Sequence, residues 1–311
     1  MVVHFKTKAG PSPVYEITPD NVERVLGRRW PWLQKGRLRE EARHFAVCPY
    51  CDNPIQNAAL YNRNENSPRP YGRHTGSQID GFPFNLTDLE HCPWTLKNTS
   101  PKRSARRKPG PVSENLITMA INEFDRIILI LREDFGFSFS KKIAEKMLEQ
   151  WFDEKAWLYT ASHLRNLPWM IAYFAPATTL FGQYVGQNDD LAHAIRTKVP
   201  NAELSAEGQL GKGQGWFFLE MQCLDHKIKM LSDETLVESL CLLVRDMTTT
   251  DEPVKAPIIY EKRITFDPTR FERLVNTPPD RARRDEDLLQ RAAVIAAKKG
   301  YKACVAPPDT R

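Results

Sequence analysis

Cysteine is scarce in this 311-residue sequence, and the six present are too few and too unevenly spaced for the disulfide framework of a small secreted protein. That excludes one class and points to a reducing, cytoplasmic setting. The opening run Met1-Val-Val-His-Phe-Lys-Thr-Lys8 lacks the long apolar stretch of a signal peptide. Charge is missing from one long segment only, Asn166 to Asn188, which has the length of a membrane span. Pro168, Pro176, Thr178, Thr179 and Gln183 interrupt it, so it reads as a buried pair of helical segments and not as a span. The signatures G-x-S-x-G, H-E-x-x-H and G-x-x-x-x-G-K-[ST] are absent. Glu203 to Gly215 is glycine-rich but lacks the phosphate-cradle pattern and reads as an exposed loop. Glu220 and His226 are too far apart to share a helical face as an E-x-x-H pair would. Glu149, Asp153 and Glu154 read as a solvated edge. Catalysis is therefore not indicated, although carboxylates assembled from distant segments would escape a linear reading.

One cluster of soft ligands is present. Cys48 and Cys51 form a C-x-x-C pair in Phe45-Ala-Val-Cys-Pro-Tyr-Cys-Asp52, and His91-Cys92-Pro93 follows about forty residues later with His74 between. A C-x-x-C turn brings two thiolates to one ion at ~2.3 Å, and tetrahedral zinc needs two further ligands from elsewhere. His74, in the glycine-flanked run Tyr71-Gly-Arg-His-Thr-Gly76, is free to turn inward; His91 is chained to Cys92, and adjacent residues ligate together only with strain. The expected set is Cys48, Cys51, His74 and Cys92, holding a structural Zn2+. A redox reading fits less well, because Asp52-Asn53-Pro54 follows the pair as a turn instead of opening a helix. Cys223, Cys241 and Cys304 lie in segments where cysteine serves as a small apolar residue. The ligand order is common to many unrelated zinc-ribbon-like modules and assigns no family.

Charge is asymmetric. Residues 1–111 hold 18 Lys and Arg against 10 Asp and Glu, a net of +8, so the remainder of this chain of net +5 is acidic. The same third interleaves Trp30, Trp32, Tyr50, Tyr61, Tyr71 and Trp94 with arginines. Cations that neutralise phosphates beside rings that stack on bases are the make-up of a nucleic-acid surface. Arg63, Arg69, Arg73, Arg103, Arg106 and Arg107 are the candidate phosphate contacts. The competing reading is that the rings fill a small core and the arginines solvate it. Pro101-Lys-Arg-Ser-Ala-Arg-Arg-Lys-Pro-Gly-Pro111 has five basic residues, three prolines and no large apolar side chain, which predicts a solvated linker.

Beyond it the pattern turns helical. Ile117, Ile121, Phe124, Ile128 and Leu131 recur at helical spacing up to Gly136; Ser140 opens a second helix with Ile143, Met147, Leu148 and Trp151 on one side. Trp157 to Leu167 and Trp216 to Met247 read as further helix. Pro257 to Phe266 reads as a strand. Asp267-Pro268 and Asp285 to Gly300 carry helix punctuation. The expected fold is mainly α: a zinc-ribbon-like module with irregular or β structure at 1–100, a basic Pro-rich linker at 101–112 and a mostly helical domain at 113–311. The expected function is that of a zinc-containing adaptor binding DNA or RNA, with a protein partner at the helical domain and no membrane association. An enzyme acting on nucleic acid with its site in the helical domain, or a protein–protein adaptor with a structural zinc, are the alternatives.

Overall fold

A computed structural model of the chain describes residues 1–36, 39–62, 69–96, 98–278 and 280–301. The N-terminal part contains β1 (His4–Phe5), β2 (Tyr15–Glu16), α1 (Pro19–Val25), β3 (Leu33–Gly36), β4 (Arg39–Val47), β5 (Pro54–Ala58), β6 (Tyr71–His74) and α2 (Leu86–Glu90). Strands β3 to β6 form an antiparallel sheet in sequence order. Its inner face carries Ile55 into a small core with Val2, Phe5, Ile17, Val22, Leu26 and Trp94. Gly72 is needed there, because a Cβ would stand 2.6 Å from the Ile55 Cδ1, and its absence lets β6 close on the core with His74 at its end.

The second part begins with α3 (Pro111–Asn122), α4 (Phe124–Phe135), α5 (Lys141–Asp153) and α6 (Leu167–Phe174), continues through β7 (Thr178–Thr179), α7 (Asp189–Lys198), β8 (Ala202–Leu204) and β9 (Leu210–Lys212), and ends with β10 (Leu219–Met230), β11 (Leu236–Asp246), β12 (Ile258–Thr265), α8 (Pro268–Val275) and α9 (Glu286–Lys298). The helix ends follow their caps. Ser140 accepts from the Ile143 N–H, Asp267 from Arg270 and Asp285 from Leu288, while Gly136 ends α4 in the left-handed region at φ 77°. The terminal α9 docks at home, against α3, α4 and α5. These helices cover an antiparallel sheet of order β12-β11-β10-β7 around a large core that includes Trp151, Trp169, Phe124 and Phe174.

The expectation of a mainly α chain is thus corrected: among the described residues the structure is 33% helix and 24% strand, in four sheets, a mixed α/β fold. Trp216 to Met247 is not helix; from Leu219 it forms the β10–β11 hairpin. Trp157 to Leu167 holds the 3-10 turn Ala156–Leu158 and the start of α6, and the charge-free segment holds α6, then β7 and the 3-10 turn Val185–Gln187. Glu203 to Gly215 contributes the β8–β9 hairpin. No helix among the described residues is long and apolar enough to cross a membrane.

Residues 101–111 are not a solvated spacer. The Arg107 N–H donates to the Leu158 carbonyl at 2.7 Å and Thr160 donates to Ala105 at 3.3 Å. Arg103 pairs with Glu154 at 2.8 Å and lies over the Phe174 ring. Arg107 is buried. The basic charge that predicted solvation is matched by Glu154 and Asp88, and the matching lets the segment pack as a strap.

Candidate metal centre

Three pieces of backbone build the centre. Between β4 and β5 the chain reverses through Cys48-Pro-Tyr-Cys51; the Asp52 N–H donates to the Cys48 carbonyl at 3.1 Å, and the Cys48 N–H to Asn53 at 2.9 Å. Asp52 takes φ 59°, a conformation Asp tolerates better than most residues, and its buried carboxylate is held by Lys6, by the Gly10 N–H at 2.9 Å and by Asn115 at 3.3 Å. β6 delivers His74. α2, capped by Asn85, delivers Cys92 two residues past its end.

The Sγ atoms of Cys48, Cys51 and Cys92 and a ring nitrogen of His74 all lie within 4.8 Å of one another, with the cysteines buried and His74 half-buried. The His74 Nε2 is 3.3 Å from the Cys51 Sγ and 3.7 Å from the Cys92 Sγ. A tetrahedral ion with Zn–S of ~2.3 Å and Zn–N of ~2.05 Å has S···N edges of ~3.6 Å, so the spacing fits. Burial opposes ionisation of Cys48, but hydrogen bonds from Cys51 and Cys92 and the neighbouring His74 overcome it and hold its thiol well below the usual range. Burial, and then the Cys48 thiolate, push Cys51 and Cys92 well above it. Three thiolates crowd here only with a cation among them, and the cluster can hold a metal ion. His91 lies outside the set.

Charge around the centre is arranged by the strap. Arg107 reaches Asp88 of α2 at 3.5 Å, an ion pair with both side chains almost fully buried, and Asp88 also accepts from the Val112 N–H at 3.3 Å. Burial lowers the Arg107 pKa against the pull of Asp88, Cys51 and Cys92. Its Nε and one Nη have no hydrogen-bond partner among the described residues. A buried cation in this position would offset the net negative charge of three thiolates if the cluster held a divalent ion.

The other predicted arginines stand in different settings. Arg73 is exposed on β6; Arg69 donates to the Asp233 carbonyl at 3.1 Å; Arg103 and Arg106 share Glu154; Arg107 is buried; Arg63 lies outside the described residues, as does Cys304. The five described ones are thus in different settings, two of them on Glu154, one against Asp88 and one against the Asp233 carbonyl.

A second polar cluster is invisible in the sequence because its members are far apart in the chain. Glu238 of β11 accepts from the His163 Nε2 at 2.7 Å and from Asn166 at 2.9 Å, and lies 3.3 Å from the His226 Nε2. The Tyr159 hydroxyl is 3.1 Å from the His226 Nδ1. Both histidines are 2% exposed and Glu238 8%, so the group is closed to a substrate and works as a lock. His163 and hydrogen bonding hold the Glu238 carboxyl far below the usual range despite its burial. Tyr50, from the cysteine turn, joins the cluster: its ring meets His163 edge-on at 5.0 Å and its hydroxyl accepts from Arg165 at 2.6 Å, which in turn grips Glu272. Comparisons of the chain with protein families, with curated proteins and with solved structures return no match.

Proposed function

We propose that Cys48, Cys51, His74 and Cys92 hold zinc as a structural ion, and that the lobe it staples binds DNA or RNA. The observation that supports the metal reading is the buried convergence of four ligand atoms from three chain segments at tetrahedral spacing. Zinc would supply folding energy here, tying β4–β5, β6 and α2 into one unit. The thiol-rich donor set favours zinc over magnesium or calcium, and reduced cysteines fit a cytoplasmic compartment.

The nucleic-acid reading rests on the outer face of the same sheet. On that face Arg73 of β6 is in register with Gln56 of β5, and Arg43 of β4, two residues before the buried Phe45 that pairs with Gln56, reaches across diagonally to donate to the Gln56 Oε1 at 3.0 Å. Trp30, 63% exposed, flanks the entry to β3, and Arg29 lies over the Trp32 ring. Together with the net +8 of residues 1–111 this makes a phosphate-tracking surface with rings at its border. The apolar clusters, two before residue 100 and one large one after it with Leu236 packed against both sides, support a division of labour near residue 100: a basic metal lobe at 1–100, the strap at 101–112, and a larger lobe that serves as the adaptor's protein-binding scaffold.

The test combines metal analysis with fluorescence anisotropy on duplex and single-stranded probes at several salt concentrations. One zinc per chain is expected, with salt-sensitive binding that weakens in the Arg43→Ala/Arg73→Ala double variant and loses ~0.9 of salt slope per duplex phosphate contact removed. Protein without stoichiometric metal overturns the first part; no binding at low salt overturns the second.

A further inference from the structure

The approach to β10 reads Trp216-Phe-Phe-Leu-Glu-Met221, and a period of two sends Phe217, Leu219 and Met221 into the core, where all three are buried. Trp216, Phe218 and Glu220 face outward. Trp216 is 60% exposed, and its ring stacks on Phe218 with centroids 6.4 Å apart. The turn after β11 forms the opposite wall: the Phe218 N–H donates to the Thr248 Oγ1 at 3.0 Å, and the Met247 N–H to the Phe218 carbonyl at 2.7 Å. Between strand and turn lies an open cleft of about 460 Å³ bordered by Trp216, Phe218, Glu220, Thr250, Asp251 and Pro253. Neither Glu220 nor Asp251 forms an ion pair among the described residues. Arg245 is opposite Glu220 in the ladder but does not line the cleft.

We propose that this cleft binds an organic cation of alkylammonium or guanidinium type, its apolar shell against Trp216 and Phe218 and its charge balanced by Glu220 and Asp251. The faces of the two rings carry the negative part of the aromatic quadrupole and attract such a cation. Two carboxylates that form no ion pair among the described residues disfavour phosphate, and a neutral apolar ligand would cover them at a desolvation cost with nothing in return. The site is separate from the basic lobe in both position and sign of charge.

The experiment uses full-length protein labelled with 5-fluorotryptophan, the Trp216 resonance being identified by its loss in Trp216→Leu. Tetramethylammonium chloride, N-acetyl-lysine amide and N-acetyl-arginine amide are titrated separately, with tert-butanol as the neutral isostere and sodium chloride as the ionic-strength control. The resonance should shift saturably with at least one cation and not with either control, and the three cations rank quaternary, primary and guanidinium heads. In Glu220→Gln/Asp251→Asn, whose changes lie at the surface and leave circular dichroism unaltered, affinity should fall by ~5-fold or more. An equal response to tert-butanol, no saturable response to any cation, or unchanged affinity in the double variant overturns the proposal.

Discussion

His4 gives the sharpest pH test of the N-terminal lobe. It is largely buried on β1 beside the Arg165 guanidinium, and its Nδ1 has no hydrogen-bond partner among the described residues. Burial first, and repulsion from Arg165 second, bring its pKa from the ordinary 6.5 down to about 4. The unfolded chain therefore takes up the proton before the folded one does. Stability from this group is complete above pH 6.5 and drains away as pH falls towards 4. At ~1.4 kcal/mol per pH unit the full loss is ~3 kcal/mol, of which ~2 kcal/mol is already gone at pH 5. His44 is also lowered by burial, so the wild-type slope alone does not isolate His4. The difference between wild type and His4→Phe does. Urea denaturation between pH 7.5 and 5, in saturating zinc so that thiol protonation does not intrude, should show the variant losing ~2 kcal/mol less than wild type. A His4 ring resonance titrating near 6.5, or equal pH slopes in the two proteins, would refute the reasoning.

Three other outcomes are expected. Cys51→Ser should abolish stoichiometric metal and raise hydrogen exchange across residues 45–62 and 69–95, as read by mass spectrometry. Asp88→Asn should leave Arg107 as an unpaired buried cation and cost ~3 kcal/mol or more in chemical denaturation, whereas Glu252→Gln, which breaks an exposed pair with Lys255, should cost under ~1 kcal/mol. Trypsin should spare Arg106 and Arg107 in the native protein, because the backbone on both sides is hydrogen-bonded to residues 158–160; early release of a fragment starting at Lys108 would show that the strap is loose.

The sequence was most legible where local chemistry acts alone. Caps at Ser140, Asp267 and Asp285, the glycine after α4 and the β-branched run of β12 all lie where their residues placed them. The cluster of Cys48, Cys51, His74 and Cys92, which could hold a metal ion, was legible because soft donors in that number have few other uses. β10 was not, for a reason visible in its geometry. Leu219, Met221 and Cys223 point inward, then a bulge with Asp225 at φ 58° shifts the phase so that His226 and Ile228 point inward. The resulting spacing of Leu219, Cys223, His226 and Met230 imitates a helix. β11 added a second trap, since Leu240 to Val244 is buried throughout and a short apolar run has no period to read. The strap was misread because its partners, Asp88 and Glu154, come from remote segments. The Glu238 lock was out of reach for the same reason.

The place of Tyr50 sets limits on how this chain changes over generations. It sits inside the turn between Cys48 and Cys51, yet its hydroxyl and ring are seated on Arg165 and His163, more than a hundred residues away. The metal turn is therefore not an interchangeable cassette. Grafted onto another host it would carry a ring without a seat, and the lobe left behind would keep a buried guanidinium short of one acceptor. Substitutions at the seat and at the turn must be accepted as pairs, so the two lobes are inherited as one unit even though each has its own core.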